Sequence, residues 1–167
     1  MPKPAPDFPF HRYNRFGVLR VNAFTALSVL FLSRHVLAFI VLGIALSRAD
    51  PSSREAFRGL LEPVYMIADG PALLVLLAML SRHPKSGTTL RLLWRGGRWL
   101  LAASAVLYFG LLVRQLGPEP ARYGWAIVSM ATGTLLSAGY VNLSRYARAL
   151  FRDYPDASLA QEDAGRG

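Results

Sequence analysis

VNAFTALSVLFLSRHVLAFIVLGIALS, residues 21–47, decides how the rest of the chain is read. The run is apolar apart from a few small polar residues and a centre occupied by Ser33, Arg34 and His35. At about 1.5 Å per residue it exceeds the roughly 30 Å hydrocarbon core of a bilayer, so it predicts a membrane-spanning helix that tilts or projects at one end. A charge at the middle of such a helix is costly and predicts a partner inside a helix bundle. The remaining question is what Arg34 faces.

Outward from that run, apolar stretches alternate with blocks of charge. Spans are expected at about 21–47, 58–81, 99–116 and 123–143, which together form a transmembrane domain over 21–143. Before them, residues 1–20 make a cytoplasmic arm that is Pro-rich and then basic, with Pro2, Pro4, Pro6 and Pro9 favouring an extended chain. After them, 144–155 reads as an amphipathic juxtamembrane helix stopped by Pro155, and 156–167 as a disordered tail. The second span carries Pro71, which removes one helical hydrogen bond, so a kink or break is expected near Asp69-Gly70-Pro71. The span is too short to start at Pro71, which places that break inside the membrane.

Basic residues alternate in number between the spans. The arm carries Lys3, Arg12, Arg15 and Arg20, and the first connection Arg48, Arg54 and Arg58. The middle loop carries Arg82, Lys85, Arg91, Arg95 and Arg98, and the next turn only Arg114 and Arg122. Arg145, Arg148, Arg152 and Arg166 follow the last span. By the positive-inside rule the middle loop and both termini are cytoplasmic. The expected fold is therefore all-α: a polytopic membrane protein with four transmembrane helices in two hairpins and both termini cytoplasmic.

The net charge of +9 fits this topology better than nucleic-acid binding, because the basic residues flank spans instead of covering a soluble domain. The absence of cysteine excludes disulfides, iron–sulfur clusters, covalently attached haem and cysteine nucleophiles. His35 is the one histidine within a span, whereas a b-type haem between helices takes two axial ligands and a metal site needs several. No cofactor and no metal site is expected.

Depth supplies a partner for Arg34. Arg34 lies fourteen residues from Arg20, and Asp69 thirteen from Arg82, so in straight helices their heights differ by about 1.5 Å. An Arg34–Asp69 pair follows, with Glu62, Tyr65 and Asp69 on one face of the second span and His35 beside Arg34. Such a cluster reads either as a fastener that fixes helix register or as part of a polar pathway. No acid or histidine continues the path through the cytoplasmic half of any span, which favours the fastener. Ser129, Gly133 and Ser137 recur every fourth residue and predict close helix packing, within the bundle or across a homodimer. Arg91, Trp94, Arg95, Arg98 and Trp99 read as a short basic interfacial helix that faces anionic headgroups, with Trp94 and Trp99 as anchors.

Four segments carry a resemblance. They are RYNRFGVLRVN (12–22), LFLSRHVLAF (30–39), LRLLWRGGRWLLAASAVL (90–107) and RALFRDYP (148–155). In this order and spacing the chain resembles the YfeZ-like family of small bacterial inner-membrane proteins, a family named only as a domain of unknown function. The resemblance implies a multi-pass protein of the bacterial inner membrane and gives no catalytic residue to carry over. The proline-rich arm and the tail depart from it. The expected function is that of a non-enzymatic accessory or assembly component with a membrane-protein partner. The alternative is a small transporter or proton-linked permease that uses the Arg/Asp/His cluster.

Overall fold

The computed structural model describes residues 8–14, 17–46, 64–84, 86–115 and 124–155. Seven α-helices lie among them: α1 (Ala23–Leu32), α2 (Arg34–Leu46), α3 (Val64–Leu80), α4 (Thr88–Arg95), α5 (Gly97–Gln115), α6 (Trp125–Leu143) and α7 (Arg145–Arg152). The all-helical expectation holds for these residues. Glu62, the connections between α2 and α3 and between α5 and α6, and the expected terminal tail lie outside the described residues.

Helix α1 begins where Asn22 offers its side-chain oxygen to the Thr25 N–H at 2.9 Å, which satisfies one of the amides a helix start leaves unpaired. Ahead of it the chain folds back on itself. The Asn14 and Val18 backbones bond at 2.9 Å, Tyr13 bridges to Leu19, and Gly17 takes the turn at φ 67°. That left-handed angle is readily available to glycine alone. Helices α3 and α5 make the most extensive helix pair, with α1 and α6 packed together beside them and α1 also against α3. The expected contact between the first two spans is present.

Two expectations fail. Helix α3 runs unbroken through Pro71 from Val64 to Leu80, whereas the first span breaks at Ser33, where α1 and α2 meet at a 73° bend. Proline deletes one hydrogen bond, and neighbouring turns packed on α5 keep α3 helical. At Ser33 other groups replace several ladder bonds at once, as described below. Trp94 is the second correction. It is fully buried instead of anchoring at an interface, because α7 folds back over it.

The main core gathers at the end of the bundle that holds α4 and α7. There Leu19, Val29, Val75, Trp94, Leu101, Val141, Leu150 and Phe151 share one cluster. Gly97 lets α5 start against α7: a methyl group at that position would sit 2.6 Å from the Phe151 ring. A smaller cluster of Ala68, Tyr108 and Leu112 lies farther along α3 and α5. Among the described residues, Gly97–Arg114 of α5 is long and apolar enough to cross a membrane by itself, and the bent α1–α2 pair qualifies if it counts as one span. Val64–Leu80 and Ile127–Leu143 are shorter apolar helices.

Candidate functional site

The break in the first span is built by exchanging partners. In an uninterrupted helix the His35 N–H would donate to the Phe31 carbonyl four residues back. Here it donates to Oδ2 of Asp69 at 2.7 Å, and the Val36 N–H donates to the same oxygen at 3.0 Å. The carboxylate thereby occupies the positive end of α2, where a negative charge is favoured. The Phe31 carbonyl instead accepts from Nη1 of Arg34 at 3.0 Å, so a cation serves the end of α1. All three new bonds are charge-assisted and stronger than neutral ladder bonds.

The second carboxylate oxygen, Oδ1, contacts His35 Nδ1 at 2.9 Å. Asp69 is almost fully buried, while the His35 side chain keeps 24% exposure. The imidazole stacks on Tyr65 and Tyr108, at 5.2 and 5.8 Å between ring centroids. The expected Arg34–Asp69 pair is therefore replaced by His35–Asp69. Among the described residues Arg34 forms no ion pair. Its guanidinium lies between the Phe31 and Tyr108 rings, 4.5 Å from each centroid, and its Nε and Nη2 are buried without a hydrogen-bond partner. A desolvated guanidinium over an aromatic ring face gains about 2 kcal/mol. Two faces thus substitute for the missing carboxylate.

Tyr108 and Phe31 were not singled out from sequence, although a tyrosine inside an apolar run is the signal for the first. Ser104 of α5 was also missed; its hydroxyl donates to the Ala68 carbonyl at 2.6 Å and ties α5 to α3 one residue before Asp69. Of the expected face, Tyr65 and Asp69 meet His35, and Glu62 lies outside the described residues. In the small-residue stripe, Gly133 receives the Phe31 ring of α1 so closely that a Cβ would lie 2.5 Å from it. That glycine packs within the bundle. Ser129 is exposed and bonds its own helix, and Ser137 is half-buried.

A second polar cluster closes the basic end. Asp153 follows α7, and its carboxylate accepts the Leu19 N–H at 2.7 Å. Arg82 bridges the two strands of this closure, donating to the Leu19 carbonyl at 2.6 Å and the Asp153 carbonyl at 2.7 Å. Trp94 donates to the Leu150 carbonyl at 2.9 Å, beneath the Arg82 guanidinium. Burial pulls the Arg82 pKa below its ordinary value, and Asp153 pulls it back up. Tyr146 donates to the Arg20 carbonyl at 2.6 Å, and burial pushes its phenol up, countered by Arg12 over its ring. Of the expected headgroup-facing set, Arg95 and Trp99 are exposed, Arg91 and Arg98 are half-buried, and Trp94 is internal.

The four segments singled out in the sequence therefore converge on two places. Residues 30–39 form the break, and parts of 12–22, 90–107 and 148–155 meet at the basic end. A family match agrees with that extent, covering residues 8–153. The chain belongs to DUF2919, a family of proteins of unknown function. No curated protein and no solved structure matches it. For this DUF2919 chain the site chemistry must be argued from its own residues. The break cluster holds one carboxylate, one imidazole, one guanidinium and two phenols, all engaged with the backbone, with each other or with ring faces.

Proposed function

We propose that the chain is a four-span, multi-pass protein of the bacterial inner membrane, like the YfeZ-like proteins it resembles, and acts as a non-enzymatic accessory or assembly component of a membrane complex. The observation that carries the membrane reading is the outer surface of the bundle. Large apolar side chains stand exposed on every long helix: Leu27 on α1, Val41 on α2, Leu77 on α3, Val106 on α5 and Leu136 on α6. Trp99 and Trp125 are exposed near the starts of α5 and α6. Val141 and Leu101 share the same core, so these tryptophans mark opposite ends, about 27 Å apart along the bundle by helix rise. Tryptophans at that separation fit the two interfaces of a bilayer.

The accessory role rests on how the polar groups are used. Asp69, Arg34 and His35 hold a helix break, and the basic-end groups hold the chain's two flanks together. Neither arrangement has the nucleophile–base pairing of a reaction centre. Purification from native membranes in mild detergent should yield the protein with a reproducible membrane-protein partner. Repeated recovery as a lone monomer overturns the assembly role. Cysteine accessibility in whole cells and inverted vesicles tests the topology separately, with both termini and the α3–α4 loop expected inside.

One observation favours the proton-linked permease as a second reading. His35 bonds Asp69 while its side chain remains a quarter exposed, so this carboxylate–imidazole pair is not sealed inside the bundle. Reconstituted flux that disappears in both His35→Phe and Asp69→Leu supports that reading, and flux unaffected by either removes it.

A further inference from the structure

Sharp helix bends have nameable causes: proline, glycine, a π-bulge, or a group inserted into the hydrogen-bond ladder. The segment LFLSRHVL, 30–37, contains neither proline nor glycine, yet the chain turns by 73° within it. The inserted groups are the Asp69 carboxylate on the His35 and Val36 amides and the Arg34 guanidinium on the Phe31 carbonyl. The bend is thus made by side chains whose removal would let the ordinary ladder re-form.

Two further features describe the alternative. Arg34 keeps two buried donors, Nε and Nη2, without a partner. Helix α2 packs on α3 and α1 while presenting Phe39, Ile40 and Val41 outward, so among the described residues α3 and α1 are its main neighbours. We infer that α1–α2 is a latched hinge with two alternative hydrogen-bond arrangements. In the bent state Asp69 holds His35 and the first amides of α2, and Arg34 holds Phe31. In the straight state the His35 N–H returns to the Phe31 carbonyl, Arg34 is displaced from it, and the freed guanidinium takes Asp69. The pair expected from sequence depth is the second state of the same carboxylate.

The geometric consequence is large. Straight, residues 23–46 measure about 36 Å and cross a bilayer; bent, α2 contributes about 20 Å in a different direction. Ser104 on Ala68 and the Tyr65–Tyr108 contact keep α3 and α5 together while α2 swings.

The chain has no cysteine, so spin labels can be placed cleanly at Leu27→Cys on α1 and Ala45→Cys on α2 of the full chain in lipid nanodiscs. For a 73° bend the labelled positions lie about 5 Å closer than in a straight helix, by helix rise. In the otherwise native protein the shorter distance should dominate by pulsed electron paramagnetic resonance. Asp69→Leu removes the latch, and His35→Phe keeps a ring in the stack but loses the carboxylate bond; each should make the longer distance the major population. A short distance unchanged in both single variants overturns the inference, since packing would then fix the bend. If Asp69→Leu does not accumulate, His35→Phe decides by the same criterion.

Discussion

Two aspartates organise this molecule, and they do so in opposite settings. Asp153 follows the last helix, partly exposed, and its carboxylate and carbonyl gather Leu19, Arg82 and Trp94 from three distant parts of the chain. Asp69 lies inside α3, buried, and its carboxylate acts within a few residues of one break. The first closes tertiary structure that already has a dense apolar core beneath it. The second sits where the core is thin and sets the local direction of a helix. Stability should therefore be concentrated around Asp153, and conformational control around Asp69.

The largest expected effect tests the first half of that contrast. Trp94→Ala empties a fully buried site under α7 and orphans the contacts of Leu150 and Arg82; a loss of about 3–5 kcal/mol is expected, read as a lowered unfolding midpoint in detergent. Gly97→Ala forces a methyl group into the Phe151 ring and should cost about 1–3 kcal/mol, with Phe151→Leu recovering part of it in the double variant. Gly133→Ala meets the Phe31 ring in the thinner half and should cost about as much in a melt, but it should also disturb the carbonyl that Arg34 holds. Equal behaviour of the two glycine variants in the spin-label distance would erase the distinction between the regions. Smallest is Ser104→Ala, which removes one hydroxyl from the Ala68 carbonyl and should lower stability by about 1 kcal/mol in the same melt.

The sequence was most legible where a pattern repeats. Helical runs at α1–α2, α3, α5 and α6 follow from uninterrupted apolar stretches, and the short basic helix at 88–95 follows from arginines at helical spacing. Depth counting brought Asp69 to within one residue of its partner. It could not choose between Arg34 and His35, because adjacent residues on a helix point about 100° apart and the break itself resets that rotation. Pro71 drew attention because its effect is local and written in its own chemistry, whereas the break at Ser33 is caused by a side chain 36 residues away. Trp94 was misplaced for the same reason. Its covering helix, α7, lies more than fifty residues downstream, and an amphipathic pattern alone does not say which neighbour takes its apolar face.

The closure at the basic end also has a timetable. Leu19, Arg82 and Trp94 are all synthesised before Asp153 emerges, and each waits for an acceptor that residues 150–153 provide. The apolar helices can form one after another as they leave the ribosome, but the closure that joins Leu19 to Asp153 waits until residue 153 has emerged. A chain that stops before Leu150 would carry its apolar helices without that closure, so the RALFRDYP segment sets the moment at which the basic end can form.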